Sequence, residues 1–367
     1  MIPVCKPDLP EADTLYPYLR EIDANRFYTN FGPLTRRLEV RIAERLETLE
    51  DAVVTASSGM LALEVALMAM DLPGGSYALL PSWTFIATAQ AVRRCGLEPL
   101  FADIDHESWT LTPAYARRVV RETEKNVSVV IPVVPFGVPV TVTQWRDFMQ
   151  ESGTPVLIDG ATLALNDIEV SDVPIMISMH ATKLLNAGEG GLVICNDTDF
   201  TSRVRHISNF ALAPDGVTMT GTNAKLSEYH AAIGNASLDD YERVLEDFFA
   251  IAQRYRDKLG DKLRFLPGYG TIRGNSFCLA ESELIDEQAL HNAGISTRGW
   301  WRRGVHREPA FADCARADDL TATEHIAQIY TGLPCFRDMD TEQIDTVCET
   351  VSKQIDSFKQ QTGDNKP

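Results

Sequence analysis

One lysine lies between two apolar runs near the middle of the chain. Lys183 follows the strand-like run 173–179 and precedes a glycine-rich stretch that leads into the apolar run 192–195. Burial disfavours the ammonium form of lysine, so it lowers the pKa of the amine and frees the nitrogen to form a Schiff base with a carbonyl. The position is well suited to covalent catalysis, but taken alone Lys183 fits an ordinary surface-loop lysine better, and only the neighbouring motifs favour the catalytic interpretation.

An anion site is predicted where the chain passes from a strand into a helix. Ser58 and Gly59 stand between the apolar run 52–56 and an apolar helix over 60–70. Free backbone amides and the positive end of the helix dipole attract anions at such a start, and glycine permits close approach. The same pattern also fits a plain helix N-cap.

Four more side chains could take part in chemistry. Asp159 ends an apolar strand, where it could pair with a protonated ring nitrogen or cap the next turn. Trp83 opens a helix and could stack on a flat cofactor or fill the core. Ser178 could bind a phosphate or its own backbone. His180 could contact substrate, shuttle a proton or pack inside the protein.

Strands and helices alternate through the first half of the chain. Apolar runs at 52–56, 77–80, 97–102, 127–134 and 155–158 are separated by helical patterns at 60–70, 84–94, 112–123 and 140–151. This alternation predicts an α/β fold with a mainly parallel sheet covered by helices. Ligands of such sheets bind beyond the carboxyl ends of the strands, where residues 57–59 and Asp159 lie.

The pattern changes near residue 240, which predicts two domains. A large cofactor-binding domain would span 1–240 and a smaller α+β domain 241–367, with the N-terminal segment free to pack on the smaller one. A long helical stretch over 226–260 would link them. Short strands at 263–265 and 276–280 and a closing helix over 341–360 complete the C-terminal part.

Composition limits the partners and the compartment. With 34 Lys and Arg against 52 Asp and Glu, the net charge of −18 disfavours nucleic acid and anionic membranes. A small anionic substrate would need a local basic patch, and the arginine- and aromatic-rich stretch 296–306 could supply it. No apolar run is long enough for a membrane span, and no signal peptide is evident. Seven scattered cysteines without metal-site spacing predict reduced thiols, no metal and a cytoplasmic protein.

The order of these motifs resembles that of the fold-type I pyridoxal phosphate enzymes. It is most similar to the DegT/DnrJ/EryC1/StrS family of sugar aminotransferases, and the resemblance runs nearly from end to end. The matching segments are 28–34, 58–59, 81–85, 98–105, 178–191, 221–234 and 333–336. The block around Lys183 is the most specific of them.

The resemblance implies a role for each matched residue. Lys183 would carry pyridoxal phosphate covalently and move the substrate proton, and Asp159 would keep the pyridine nitrogen protonated. Trp83 would stack on the ring, while Ser58, Ser178 and the amides of Gly59 and Met60 would hold the phosphate. Asn223 would reach the phosphate of the neighbouring subunit's cofactor, which implies a homodimer with shared active sites. The candidates for substrate binding are Asn186, Arg298, Trp300 and His306.

Three positions depart from the family pattern. Met60 replaces the usual threonine, so one phosphate hydroxyl is missing. Thr162 stands where glutamine or histidine is usual, beside the expected position of the cofactor's ring oxygen. The sequence from His180 to Lys183 is a subtype associated with amination at C4 of the sugar.

The implied activity is transfer of an amino group, with glutamate as donor, to a nucleotide-linked keto-sugar, with a 4-keto-6-deoxyhexose favoured. Alternatives are the same chemistry on a cyclitol or natural-product ketone, and a non-catalytic, cofactor-binding regulatory protein. A sugar dehydratase of this fold would carry histidine in place of Lys183. A nicotinamide enzyme is disfavoured because no GxGxxG follows the first strand.

Overall fold

The computed structural model describes residues 1–281 and 283–362. The strands in that part of the chain are β1 (Val53–Ala56), β2 (Tyr77–Pro81), β3 (Glu98–Ala102), β4 (Val127–Val130), β5 (Ile158–Asp159), β6 (Ile175–Ser178), β7 (Gly191–Ile194), β8 (Leu212–Ala213), β9 (Gly216–Val217), β10 (Cys278–Glu281), β11 (Ala315–Arg316) and β12 (Tyr330–Leu333). The α-helices are α1 (Ala12–Asn25), α2 (Pro33–Arg45), α3 (Gly59–Ala69), α4 (Ile86–Arg94), α5 (Pro113–Glu122), α6 (Val142–Ser152), α7 (Thr198–Ser208), α8 (Glu228–Asp239), α9 (Tyr241–Leu259), α10 (Glu287–Asn292), α11 (Thr321–Ile329) and α12 (Thr341–Thr362).

One twisted sheet carries the large part of the fold. Two four-stranded ladders are joined by parallel bridges from Val130 to Val156 and from Val133 to Asp159, which gives the order β11-β3-β2-β4-β5-β6-β7-β1. All neighbouring strands are parallel except that β7 runs antiparallel to β6 and β1. The predicted mainly parallel α/β sheet is confirmed.

Helices cover both faces because the strands bury side chains on both faces. In β2, Leu79 packs in one core with Leu38 of α2, whereas Ala78 and Leu80 pack in the other core with α3, α4 and α7. This alternation follows the two-residue period of a strand. The carboxyl ends of the parallel strands are left open between the layers.

A third core lies in the C-terminal part. It joins the antiparallel pair β10–β12 to α12 and to the second half of α9. The first half of α9, from Tyr241 to Leu245, packs in the core of the large sheet instead. The chain's first residues join the C-terminal part, since Ile2 N donates to Gly294 O at 2.7 Å.

Two local predictions about elements need correction. The helical stretch predicted over 226–260 is two helices, because Asp240 leaves helical geometry at φ −109° and ψ 8°. The strand predicted at 263–265 is reduced to one bridge between Phe265 and Ala280. Among the described residues, no helix is long and apolar enough to cross a membrane.

A carboxylate ties the sheet to the C-terminal part. Asp103, just beyond β3, accepts hydrogen bonds from Ala322 N at 2.8 Å and from Thr323 N and Oγ1 at 2.7 Å each. It thereby caps the start of α11 from another region of the chain. Together with the pairing of β11 on β3, this contact fixes the C-terminal part beside the open strand ends.

Candidate functional site

Lys183 sits in a compact loop between β6 and β7. Backbone bonds close this loop from Met179 N to Gly190 O at 2.8 Å and from Ala181 N to Gly188 O at 2.9 Å. Gly188 has φ +77°, a conformation that side chains rarely adopt. The loop exists because β7 turns back antiparallel to β6, and it holds the lysine at the open edge of the sheet.

The amine of Lys183 is buried. Burial lowers the pKa of Lys183 to about 8, and the negative charge of Asp159 acts in the opposite direction. The Nζ atom lies 5.6 Å from the centre of the Phe277 ring. A substantial fraction of the amine is therefore neutral near physiological pH, as a nucleophile or a proton acceptor requires.

Asp159 lies at the carboxyl end of β5, buried and facing the same space. Thr88 Oγ1 donates to its Oδ2 at 2.7 Å, and Ala161 N donates to its Oδ1 at 3.2 Å. Burial raises the pKa of Asp159, while these hydrogen bonds and the charge of Lys183 oppose the rise. The structure thus brings Lys183 and Asp159 into electrostatic contact across two strand ends.

The start of α3 meets Ser178 closely enough to form an anion cradle. A Cβ placed on Gly59 would lie 3.1 Å from Ser178 Oγ, and one placed on Gly191 would lie 2.6 Å from Ser58 O. Ser58 caps α3 by accepting from Leu61 N at 3.2 Å and keeps its own proton to donate. Met60 is the second residue of α3, where its amide is one of the free donors. These donors fit a phosphate group.

Trp83 lies in an aromatic cluster. Its ring meets Trp301 edge-on at 5.0 Å and Trp109 edge-on at 5.5 Å, and it tilts against Phe136 at 5.8 Å. Within residues 1–281 and 283–362 the buried Nε1 atom has no hydrogen-bond partner. The cluster places Trp83 beside the site, and stacking on a flat cofactor stays a prediction.

Thr162 braces a turn next to the site. Its hydroxyl donates to Val134 O at 2.9 Å and accepts from Gly137 N at 2.9 Å. Because its one proton is used, Thr162 has only a lone pair left for a ligand. The expected contact with the ring oxygen would therefore need a donor on the ligand.

His306 is placed differently from the prediction. Its side chain is 0% exposed, with Nδ1 2.6 Å from Ser82 Oγ and Nε2 3.3 Å from Glu324 Oε1. Burial lowers the pKa of His306. Both ring nitrogens are engaged, so this histidine supports the turn before Trp83 and does not present a surface to substrate.

The other substrate-binding candidates lie around the edge of the site. Asn186 is buried and donates from Nδ2 to Asp8 O at 2.9 Å. The guanidinium carbon of Arg298 lies 4.1 Å from the Trp300 ring centre, and Trp300 meets Phe277 edge-on at 5.6 Å. A chain of side chains thus leads from Lys183 through two aromatic rings to Arg298.

His180 is exposed at the mouth of the lysine loop. Its Nδ1 lies 3.0 Å from Thr182 Oγ1, and its Nε2 lies 3.8 Å from Glu189 Oε1. The exposed ring can reach a molecule that enters from solvent. A catalytic role for His180 remains a prediction.

A cleft of about 880 Å³ is lined by Lys183 and Asn186 and by the N-terminal residues 6–11. Arg337 holds residues 6–11 against the rest of the chain. Its guanidinium binds Asp8 and Asp247 at 2.8 Å each and also pairs with Asp240. Within the part of the chain that the structure describes, no group of His, Cys, Asp and Glu is arranged to hold a metal ion.

Asn223 lies apart from these residues on the protein surface. It is exposed and pairs with Asn209 beside the β8–β9 hairpin. The backbone bond from Ser57 N to Ala224 O at 2.7 Å ties this segment to the phosphate cradle of its own subunit. In one subunit, therefore, Asn223 does not face Lys183.

Sequence reasoning missed several contacts in the site. Thr88, Phe277 and Arg337 contact the site but were not predicted from the sequence, because their contacts join distant segments of the chain. Trp301 lies in the aromatic-rich stretch 296–306, and Thr84 and Thr88 share one face of the predicted helix, so the sequence carried a signal for Trp301 and Thr88. The remaining contacts depend on how loops from the C-terminal part fold back.

Comparison with known proteins agrees with this site. The sequence profile of the DegT/DnrJ/EryC1/StrS aminotransferase family matches residues 11–352. A dTDP-4-amino-4,6-dideoxy-D-glucose transaminase of Shigella dysenteriae is 25% identical over 372 residues, covering 95% of this chain and 97% of that protein.

Solved structures give the same result. A putative pyridoxal phosphate-dependent aminotransferase from Bacillus cereus is 27% identical, with a TM-score of 0.88 over 96% of this chain and 99% of that one. DesI, solved with its TDP-sugar product, is 27% identical, with a TM-score of 0.85 over 99% and 95% of the two chains. The expected fold-type I architecture and the pyridoxal phosphate cofactor are confirmed.

Replacing Gly191 by alanine should weaken binding of pyridoxal phosphate to the apoprotein by about tenfold or more, because overpacking costs ~1–3 kcal/mol. The new methyl group would clash with the Ser58 carbonyl and with Gly59 Cα, and so displace the start of α3, whose amides form the cradle. Gly74→Ala is the matched control, since a Cβ there meets nothing within 4 Å. Titration of both folded variants with pyridoxal phosphate and inorganic phosphate measures the effect. Equal affinity in the two variants would contradict the assigned cradle.

The reactivity of Lys183 in the apoprotein should rise with pH and reach half its maximum near pH 8. Trapping with pyridoxal and borohydride, followed by peptide mass spectrometry, measures it, and the exposed Lys353 serves as reference. In Asp159→Asn the midpoint should move to lower pH, because the lost negative charge had favoured the ammonium form. A midpoint near the ordinary lysine value of ~10.4 would argue against a desolvated amine.

Proposed function

This chain belongs to the DegT/DnrJ/EryC1/StrS aminotransferase family, and we propose that it transfers an amino group from glutamate to a nucleotide-linked keto-sugar. The observation that carries the proposal is the buried Lys183 amine facing the buried Asp159 carboxylate beside the anion cradle at Gly59. A 4-keto-6-deoxyhexose is the favoured acceptor.

The relatives support the acceptor class. The Shigella protein is named for a 4-amino-4,6-dideoxy sugar on dTDP, and DesI was solved with a TDP-sugar. Both resemble this chain over almost its whole length. By analogy we infer a deoxyhexose on a nucleoside diphosphate, aminated at C4.

The residues present fit pyridoxal phosphate. When bound, the cofactor supplies an electron sink for the carbanion that forms when a substrate loses a proton. Lys183 would provide the amine for covalent attachment, and Asp159 would accept a hydrogen bond from the protonated ring nitrogen and so keep that nitrogen charged. Ser58, Ser178 and the amides of Gly59 and Met60 would hold the phosphate.

Lys183 also suits proton transfer. With its pKa lowered to about 8, Nζ can both take and return a proton near neutral pH. No other lysine or histidine of the described chain is placed as deeply beside Asp159. We assign the movement of the substrate proton to Lys183 Nζ, with His180 at the solvent side of the loop.

Arg298 and Trp300 suit the nucleotide diphosphate. A guanidinium can bind phosphate oxygens in a bidentate manner, and that of Arg298 stacks over the Trp300 ring at the edge of the site. In a protein of net charge −18, such a local cation is needed to attract the substrate. A cyclitol or simple ketone carries no diphosphate and would not need Arg298.

We further propose a homodimer with shared active sites. Asn223 is exposed beside a hairpin region that leaves Phe210, Leu212, Val217 and Met219 in contact with solvent. Tyr28 and Tyr229 add a second exposed pair, stacked at 6.4 Å. Apolar surface of this extent favours a partner, and a second copy would bring Asn223 to the neighbouring cradle.

Purified enzyme with pyridoxal phosphate should be yellow and should lose that colour on addition of glutamate, with release of one equivalent of 2-oxoglutarate. Lys183→Ala should not release it. Aminated product should then form from a dTDP-4-keto-6-deoxyhexose. Arg298→Ala should raise the KM for that sugar by about ten- to a hundredfold, because a hydrogen bond to a charged group contributes ~1.5–3 kcal/mol, and should leave the KM for glutamate unchanged.

Other outcomes of these assays separate the alternatives. If the enzyme aminates a cyclitol ketone and Arg298→Ala does not change that activity, the substrate is a cyclitol and not a nucleotide-linked sugar. Retention of the yellow colour with every amino donor would favour a non-catalytic, cofactor-binding protein. Either result would overturn the proposed reaction.

Mixing two inactive variants should restore activity if the sites are shared. In a shared site, Lys183 comes from one subunit and Asn223 from the other. A hybrid dimer of Lys183→Ala and Asn223→Asp therefore has one site with both changes and one site with neither. After unfolding and refolding together, random pairing predicts about a quarter of the wild-type activity. The pair Lys183→Ala and Asp159→Ala, which affects the same subunit's side, is the control and should stay inactive. Equal behaviour of the two mixtures would exclude sharing through Asn223.

A further inference from the structure

Two buried threonine hydroxyls lead to Asp159. Thr84 Oγ1 lies 2.9 Å from Thr88 Oγ1, and Thr88 Oγ1 lies 2.7 Å from Asp159 Oδ2. Thr88 is in the first turn of α4 and Thr84 comes just before that helix, so both are placed by the same turn that carries Trp83. Their side chains are 1% and 2% exposed, which excludes solvent as a competing partner.

The number of protons determines the direction of this chain. Each hydroxyl has one proton, and an ionised carboxylate has none to give. With Asp159 ionised, Thr88 Oγ1 donates to it at 2.7 Å in preference to Phe85 O at 3.3 Å, and the Thr88 oxygen can then accept the proton of Thr84, for which Phe85 O lies farther away at 3.4 Å. The other carboxylate oxygen accepts from Ala161 N, so every bond in the chain favours the charged form of Asp159.

The carboxylate needs this support because its surroundings disfavour charge. Asp159 is buried, and burial alone would drive it towards the neutral acid. Within the described residues, Lys183 is the one charged group whose field acts on it. A neutral acid has no charge with which to hold the proton of a ring nitrogen, so the ionisation of Asp159 decides whether the pairing can form.

We propose that Thr84 and Thr88 are positioning residues that keep Asp159 ionised and oriented towards the ring nitrogen of the cofactor. The inference rests on the proposed function, since it concerns the same site. A hydroxyl suits the task because its proton can be donated to Asp159 while its oxygen accepts the proton of the next hydroxyl. The two threonines act through Asp159 and need not touch the substrate.

The test replaces the hydroxyls without changing side-chain shape. Thr88→Val removes the donor to Asp159, Thr88→Ser keeps it, and Thr84→Val removes the second hydroxyl. Thr201→Val is the matched control, because Thr201 is equally buried but bonds only the backbone of α7. The first measurement is the pH midpoint of Lys183 trapping in the apoprotein, which needs neither cofactor nor sugar.

In Thr88→Val the midpoint should move to lower pH, as in Asp159→Asn, because a neutral Asp159 no longer favours the ammonium form of Lys183. Thr84→Val should give a smaller shift in the same direction. Thr88→Ser and Thr201→Val should match the wild type. A wild-type midpoint in Thr88→Val, with a shifted midpoint in Asp159→Asn, would overturn the inference.

The second measurement is the glutamate half-reaction of the loaded enzyme. The kcat of Thr88→Val should fall by about ten- to a hundredfold with little change in KM, and Thr88→Ser should recover most of it. Recovery by serine separates the hydroxyl from packing of the side chain. If the keto-sugar assignment fails, the trapping midpoints still decide the role of the threonines.

Discussion

Burial and mutual attraction act in opposite directions on Lys183 and Asp159. Burial favours the neutral amine and the neutral acid, whereas each charge favours the charged form of the other. The balance leaves the pKa of Lys183 at about 8, which suits the proposed roles of this amine as nucleophile and as proton carrier. The rest of the architecture places these two groups close together and buries them. β5 delivers the carboxylate, the reversal from β6 to β7 delivers the amine, and the layers of helix keep water away.

Local signals made the centre of the site predictable. Lys183, Asp159 and Ser58–Gly59 each stand where a run of one secondary structure ends, and such boundaries can be seen in a single sequence. The parallel sheet followed from the alternation of apolar runs. What could not be predicted are contacts between distant segments: Thr88 reaches Asp159 over 71 positions, and His306 reaches Ser82 over 224. The break at Asp240 was not predicted either, and the Asp240 carboxylate pairs with Arg337, 97 positions later.

Packing of the C-terminal part against the large sheet gives several residues positions that the sequence did not predict. His306 was expected at a substrate surface and instead supports the turn that carries Trp83. Trp300 and Trp301 both pack against Phe136, so the loop that carries them completes the aromatic cluster beside the site. Arg298 remains at the rim, where its charge is still hydrated. The proposed catalytic groups and the proposed substrate contacts therefore come from different parts of the chain.

The strand β11 has a consequence for biosynthesis. It pairs with β3, so the edge of the large sheet is completed by residues 315–316, which leave the ribosome long after the rest of that sheet. Until then β3 presents unpaired backbone groups, a surface on which nascent chains can associate. The N-terminal residues also lack their partner until late in synthesis, because Ile2 forms a parallel bridge with Ile295. The N-terminal segment and the edge of the large sheet thus gain their partners only after translation has passed residues 295 and 316.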